Sequence, residues 1–173
     1  DLTIKKRKCD MIVKEVIIMS LKKITQAAIV AGLYVVLVFV FQPISFGPVQ
    51  FRIAEALVIL PFLDPVFVPA IYIGVLLANI FGGLGTWDIW FGSLISLVAA
   101  YLTSKMPNKF LAPLPAIFVN SFGVSLYLAP LYGVPYFFSV IWIGIGEAVV
   151  LYALGLPLLK VFEKQLKTKR KGN

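Results

Sequence analysis

The stretch ITQAAIVAGLYVVLVFVF, residues 24–41, decides the fold class, because none of its 18 residues is charged. An α-helix of about 17–25 apolar residues spans the hydrocarbon core of a bilayer. Lys22 and Lys23 stand directly before the stretch and act as an orientation signal, so we expect the natural start at Met19. The stretch therefore predicts a first membrane-spanning helix.

The rest of the chain repeats this pattern. Hydrophobic residues make up 60% of the 173 positions and charged residues 14%, and the mean hydropathy is +0.95, which is far outside the range of soluble globular proteins. Prolines, glycines and short polar links divide the sequence into further apolar segments, which lack the alternation of outer-membrane barrel strands. The predicted helices are a short one from Ile53, interrupted around Asp64, and others over residues 66–80, 87–103, 111–128 and 137–162. The predicted fold is an all-α integral membrane protein with a bundle of six transmembrane helices.

The two ends of the chain differ from this membrane domain. Residues 1–18 mix basic and aliphatic side chains without a helical pattern, which predicts a disordered leader or a segment added for expression. The membrane domain then covers residues 19–163, and residues 164–173 form a basic cytoplasmic tail. Cys9 is the one cysteine and the chain has no histidine, which argues against disulfides, metal sites and Ser-His or Cys-His nucleophile pairs. Since the GxxxxGKS/T motif is also missing, we expect no ATPase or other enzyme activity, no metal and no cofactor in this chain.

The distribution of basic residues predicts the orientation. With six spans, 15 of the 16 lysines and arginines fall on the side of the two termini, and only Arg52 falls on the other side. Cytoplasmic loops carry an excess of positive charge, so both termini are expected in the cytoplasm. The net charge of +8 is thereby explained without nucleic-acid binding.

Three carboxylates and one arginine lie inside or at the edges of the apolar segments: Glu55, Asp88, Glu147 and Arg52. A charge in lipid costs about 2.5–3.5 kcal/mol on insertion scales, so these groups need an interior or a ligand. Their charges add to minus two, which favours a cationic ligand. The expected pocket opens to the exterior, with Asn120 and Glu147 as its floor and a second group nearer its mouth, namely Arg52, Glu55, Asn79, Trp87 and Asp88.

Simpler interpretations remain open for each of these residues. Arg52 and Glu55 are three residues apart and can pair on one helix face, and Asp88 can cap a helix N-terminus. Glu147 lies mid-span beside small residues, which leave room for a ligand as readily as for a neighbouring helix. The side chains of Asn79 and Asn120 can read a planar polar heterocycle, and aromatic residues such as Trp87 can stack on it or belong to the interfacial belt.

The first helix carries two stripes of small residues, Ala27 with Ala31 and Ala28 with Gly32. Residues spaced in this way let two helix backbones approach closely in lipid. The stripes predict either packing within the bundle or a docking face for another membrane protein.

Four segments together resemble the queuosine-precursor transporter family, QueT: ISFGPVQFRIAEAL, LLANIFGGLGTWDIWFGSL, LAPLPAIFVNSF and IGIGEAVVLYALGLPLL. The resemblance runs over residues 22–163, and its most specific clusters are FR-x-x-EAL, GGLG-x-WD and G-x-GEA. It implies the substrate-binding S-component of an energy-coupling-factor (ECF) transporter in a prokaryotic plasma membrane. The implied ligand is 7-aminomethyl-7-deazaguanine or a close relative, and the implied partners are a membrane coupling subunit and two ATPase subunits. In that group an alanine-x-x-x-alanine surface docks the coupling subunit, which corresponds here to Ala27 and Ala31.

This ligand suits the residues found. A carboxylate can accept hydrogen bonds from the ring N–H and amine of a deazaguanine, and the aminomethyl group is an ammonium that seeks a second carboxylate. We assign Glu147 and Asp88 to these two roles in either order, and Asn79 and Asn120 to the carbonyl and ring edges. Arg52 and Glu55 are expected to shape the loop over the pocket.

Two other functions remain open. The first is a stand-alone ion-coupled secondary transporter of a small cationic or purine-like nutrient, in which the carboxylates carry ions. The second is a membrane-embedded, metal-dependent enzyme acting on lipid.

Overall fold

The computed structural model describes residues 2–45, 51–82 and 85–171, and within them all regular structure is helical. The predicted all-helical class is therefore confirmed. The six main helices are α1 (Leu2–Val40), α2 (Ile53–Phe62, a 3₁₀-helix), α3 (Phe67–Gly82), α4 (Asp88–Thr103), α5 (Pro113–Tyr132) and α6 (residues 136–171). The last consists of Tyr136–Val150, a wide π-helical turn Leu151–Gly155, and Leu156–Lys171. A short helical turn, Gln42–Ser45, follows α1.

Three of the described helices are long and apolar enough to cross a membrane: Ser20–Val40, Pro113–Tyr132 and Tyr136–Gln165. Three shorter helices are also apolar: Ile53–Phe62, Phe67–Gly82 and Asp88–Thr103. The chain thus has the helices of a membrane protein. The number of spans and the orientation stay predictions.

Several helix boundaries differ from those expected. Helix α1 begins at Leu2, inside the leader expected to be disordered, and α6 continues to Lys171, inside the expected tail. The chain after residue 41, expected as a loop, first forms the turn Gln42–Ser45. Residues 46–50 of that loop, and Gly83 and Leu84 of the glycine-rich link before α4, lie outside the described residues. The division into leader, membrane domain and tail stays a prediction.

Helix α2 forms the centre of the bundle. Its residues 54–61 are all buried, and it contacts each of the other five helices. A 3₁₀-helix rises about 2 Å per residue, so ten residues reach about 20 Å. A helix that is apolar on almost every side must be enclosed by its neighbours, and the longer helices surround α2 for that reason.

Helices α1 and α3 approach closely at Gly74. A Cβ atom at position 74 would lie 2.9 Å from Tyr34 Cβ and 3.1 Å from the backbone oxygen of Ala31. Ala31 is buried, at 7% exposure, and Ala27 is partly buried against the core. Ala28 and Gly32 are exposed. One of the two predicted stripes is therefore used for packing within the chain, and the other lies on the surface.

Helix α6 is irregular just before Pro157. Pro157 has no N–H to donate to the preceding turn, and the π-helical turn Leu151–Gly155 lies directly before it. A Cβ atom at Gly155 would lie 3.4 Å from the backbone oxygen of Ala56. The widened turn thus brings α6 against the backbone of α2.

Candidate functional site

Each of the six helices contributes a buried polar side chain to the interior of the bundle. All of them are at most 6% exposed, and Arg52, directly before α2, is 7% exposed. They form two hydrogen-bonded groups, one around Glu55 and Glu147 and one around Asp88. The six side chains are those of Tyr34, Glu55, Asn79, Asp88, Asn120 and Glu147.

The first group joins two carboxylates through one amide. Asn120 Nδ2 donates to Glu147 Oε1 at 3.0 Å and to Glu55 Oε2 at 3.5 Å. Tyr34 Oη donates to the other oxygen of Glu55 at 2.5 Å. Asn120 thereby connects the three helices α2, α5 and α6. Tyr34 on α1 supplies the second hydrogen bond to the Glu55 carboxyl group.

Two acceptor atoms in this group have no hydrogen-bond partner among the described residues. They are Glu147 Oε2 and Asn120 Oδ1, and both are buried. A buried acceptor left unsatisfied costs about 1–3 kcal/mol, and more if it is charged. Both residues line one small space, the closed cavity, whose walls are Arg52, Glu55, Ser96, Asn120, Val124, Ile143 and Glu147.

The closed cavity has a volume of about 10 Å³. That is the space of about one water molecule, whereas ligand pockets measure about 300 Å³ or more. In the described form the cavity therefore holds no room for a bicyclic ligand, although its walls present acceptors for one.

The second group is centred on Asp88 at the start of α4. Asp88 Oδ1 accepts a hydrogen bond from Tyr127 Oη at 2.8 Å, and Arg52 Nη2 forms an ion pair with the same oxygen at 3.5 Å. The carboxylate thus extends toward α2 and α5 and joins these helices to α4. Asn79 Nδ2 donates to the backbone oxygen of Asp88 at 2.7 Å and lies 3.3 Å from Ser93 Oγ. Asn79 therefore braces the π-helical first turn of α4, Asp88–Gly92.

A second and larger space lies where α4 begins and α5 ends. This open pocket has a volume of about 320 Å³, which falls within the range of small-molecule sites. Tyr127 lines it, and the hydroxyl of the same residue is bonded to Asp88. The walls of the open pocket are Trp87, Leu126, Tyr127, Pro130 and Leu131.

The structure brings together most of the residues predicted from the sequence. Four of them, Arg52, Glu55, Asn120 and Glu147, line the closed cavity, and Asp88 joins them through its ion pair with Arg52. Asn79 contacts the backbone of α4, and Trp87, 55% exposed, lines the open pocket. Neither Asn79 nor Trp87 is among the described residues that line the closed cavity.

Three contributors were not assigned from the sequence. Ser96 lines the closed cavity, Tyr34 donates to Glu55, and Tyr127 donates to Asp88. A signal existed for Tyr34, which carries the one hydroxyl in residues 27–41. Ser96 and Tyr127 have no comparable signal, because serines and tyrosines are common in the apolar segments.

The charges of the site favour a positively charged guest. Three carboxylates and one guanidinium are buried together, and buried charge that is not compensated is costly. No group of three or more cysteine, histidine or acidic side chains suitable for a metal ion occurs in the described part of the chain. The unpaired acceptors of the site suit a guest that carries N–H donors.

The fold and the site together define a helical membrane protein with an internal, acidic polar site. The model of the QueT transporter family matches residues 24–164. The chain belongs to the QueT transporter family.

Part of the chain is also similar to a curated protein of the same family. The queuosine precursor transporter QueT of Lactococcus lactis subsp. cremoris (strain MG1363) is 38% identical over 90 residues, which cover 50% of this chain and 52% of that protein. The chain thus spans about half the length of the curated relative it matches. No solved structure matches the chain.

Proposed function

We propose that this chain is the substrate-binding S-component of an ECF importer and that it captures 7-aminomethyl-7-deazaguanine or a close relative. Membership of the QueT transporter family and the name of the Lactococcus relative support a queuosine precursor as the ligand. The observation that carries the proposal is the pair of unpaired, buried acceptors, Glu147 Oε2 and Asn120 Oδ1, beside three buried acidic side chains and Arg52.

The proposed recognition follows from the donors of the ligand. A deazaguanine presents a ring N–H and an amine side by side, and a carboxylate accepts both in bidentate fashion. Glu147 is the acceptor for this edge, and Asn120 completes it with its amide oxygen. The aminomethyl group, an ammonium at neutral pH, balances one of the remaining negative charges.

Binding requires the site to open. The closed cavity holds about 10 Å³, so the ligand must separate the side chains that Asn120 now joins. The hydrogen bonds from Asn120 to the two glutamates are then exchanged for hydrogen bonds from the ligand. In the open form the ligand can also donate to Glu147 Oε2 and Asn120 Oδ1, which have no partner in the described form.

The proposed topology has six membrane spans and cytoplasmic termini in a prokaryotic plasma membrane. Six apolar helices and the concentration of lysine and arginine on one side support it. Helix α2 is the shortest, and its enclosure by the other helices removes the need to face lipid along its length.

The proposed partners are a membrane coupling subunit and two ATPase subunits. The small-residue surface for this contact is best placed on Ala28 and Gly32, because Ala31 is buried against Gly74. Gly32→Trp should abolish uptake and preserve ligand binding. Unchanged uptake in both Gly32→Trp and Ala28→Trp would indicate that this stripe faces lipid and does not contact a partner.

A calorimetric titration tests the ligand. The purified chain, without nucleotide, is titrated with 7-aminomethyl-7-deazaguanine, guanine and unrelated vitamins. We expect saturable binding of the deazaguanine and at least about tenfold weaker binding of guanine, which lacks the ammonium. Equal affinity for guanine, or no binding of the deazaguanine, contradicts the proposal.

A stand-alone ion-coupled transporter is the second candidate. The observation that favours it is the amide of Asn120 between two buried carboxylates, an arrangement that can relay an ion. The two candidates differ in energy source. Uptake into vesicles that contain only this chain, driven by an ion gradient, supports the second candidate, and uptake that requires the ATPase module supports the first.

A further inference from the structure

A chain of three described side chains, Tyr127, Asp88 and Arg52, links the open pocket to the closed cavity. Tyr127 lines the open pocket, and its hydroxyl donates to Asp88 Oδ1 at 2.8 Å. Asp88 is 2% exposed and pairs with Arg52, which lines the closed cavity. A ligand-sized space thus lies next to the polar interior, and Tyr127 is the member of this chain that borders it.

We infer that Tyr127 is the gate of the site, and that the ammonium of the ligand replaces the Tyr127 hydroxyl on Asp88. This inference rests on the proposed function and deepens it, because it assigns the two carboxylates. Asp88 takes the cationic substituent, and Glu147 takes the ring edge.

The local packing is suited to a movable hydroxyl. A Cβ atom at Gly92 would lie 2.9 Å from Tyr127 Oη and 3.6 Å from Asp88 Oδ1. Glycine at position 92 therefore leaves the space in which these two groups meet. The tyrosine ring is partly buried and packs against the cluster of Val124, Leu128 and Ile143. It also lines the open pocket, which is the side toward which its hydroxyl would move.

The exchange replaces one hydrogen bond to Asp88 with another and adds one positive charge beside it. The Asp88 carboxylate loses a donor from a neutral hydroxyl and gains one from an ammonium, which forms the stronger, charge-assisted bond. The freed hydroxyl of Tyr127 faces the open pocket, where it can find another partner. Trp87, on the same pocket wall, offers an aromatic face to the incoming heterocycle.

The test is stopped-flow binding of 7-aminomethyl-7-deazaguanine to the full chain, followed by tryptophan fluorescence. In Tyr127→Phe the closing hydrogen bond is lost and the ring is kept. We expect kon to rise about tenfold, since a hydrogen bond to a charged group no longer has to be broken. Tyr132→Phe, an exposed tyrosine five residues further along α5, is the matched control and should leave kon unchanged.

A neutral analogue tests the assignment of Asp88. Asp88→Asn should weaken binding of the aminomethyl ligand at least about tenfold, and should weaken binding of the same deazaguanine with a neutral nitrile much less. Equal losses for both ligands overturn the assignment.

The two proposals fail in different ways. If the wild-type chain binds the ligand and kon is unchanged or lower in Tyr127→Phe, the gate is wrong and the proposed function stands. If the wild-type chain does not bind any deazaguanine, the proposed function is wrong and the gate falls with it.

Discussion

The two halves of helix α2 have opposite characters. At its first turn Glu55 is buried and hydrogen-bonded to Tyr34 and Asn120, and Arg52 directly precedes the helix. The second half, residues 57–60, is aliphatic, at most 1% exposed, and belongs to a core cluster that also contains Leu151 and Leu159. The polar half borders the closed cavity and the unpaired acceptors of Asn120 and Glu147, whereas the aliphatic half is closely packed.

The difference between the two halves of α2 predicts that substitutions in one half change stability and substitutions in the other change ligand binding. Dry aliphatic packing stabilises the folded state, while unsatisfied buried acceptors cost free energy until a ligand supplies donors. We therefore expect substitutions in the aliphatic half to change stability alone. Substitutions in the polar half should change ligand binding.

The largest effect on stability is expected for Leu60→Ala in the aliphatic half. Leu60 is fully buried, and a leucine-to-alanine change in a core costs about 2–5 kcal/mol. Thermal unfolding in detergent should show a lower Tm, with unchanged ligand affinity of the folded fraction. Leu94→Ala, at a position 49% exposed, is the control and should have little effect. A Tm equal to that of the wild type in Leu60→Ala would contradict the packing described.

The contact between α1 and α3 gives the next effect. Gly74→Ala places a Cβ atom 2.9 Å from Tyr34 Cβ, and such overpacking costs about 1–3 kcal/mol. Gly32→Ala is the matched control, because a Cβ atom there meets nothing within 4 Å. The control should be neutral or stabilising by up to about 1 kcal/mol through helix propensity. The reverse order of the two melting temperatures would place the packed stripe on Gly32.

Tyr34→Phe tests the polar half. The change leaves Glu55 Oε1 without its donor, and an unsatisfied buried acceptor costs about 1–3 kcal/mol. We expect a lower Tm together with altered ligand affinity, since Glu55 lines the closed cavity. Tyr152→Phe removes an exposed hydrogen bond to the Phe110 oxygen and should affect neither. Unchanged ligand affinity in Tyr34→Phe would show that Glu55 does not contribute to ligand binding.

The smallest effect is expected outside the membrane helices, at the turn between α2 and α3. Lys23 Nζ lies 2.7 Å from Asp64 Oδ2. Burial raises the pKa of Asp64, but the hydrogen bonds from Lys23 and from the Val66 N–H, with the charge of Lys23, outweigh it and lower the pKa below its ordinary value.

A lowered pKa means that the pair stabilises the fold at neutral pH and that this stability is lost as the pH falls below about 4. Because the pair is partly exposed, the loss should be at most about 1 kcal/mol. Tm measured between pH 6 and pH 3 should fall less in Asp64→Asn than in the wild type. An identical pH profile for both chains would show that the pair contributes nothing.

The sequence predicts the fold better than the site. Apolar lengths and proline positions indicate the helices, including the start of the short helix at Ile53, because these signals are local. The partners of Glu55 are 21 and 65 residues away, and no local pattern indicates which helices meet there. Which small-residue stripe of α1 packs within the bundle is likewise decided by Gly74 on α3. The sequence of α1 alone therefore does not distinguish the two stripes.

We propose that the unpaired oxygen of Glu147 accepts a hydrogen bond from a cationic deazaguanine. The most direct test is calorimetric titration of the wild type and of Glu147→Gln with 7-aminomethyl-7-deazaguanine, with Tm measured in parallel. We expect affinity lower by about 100-fold in Glu147→Gln, as for a lost hydrogen bond to a charged group, and a Tm that does not fall. Equal affinity of the two chains would contradict it.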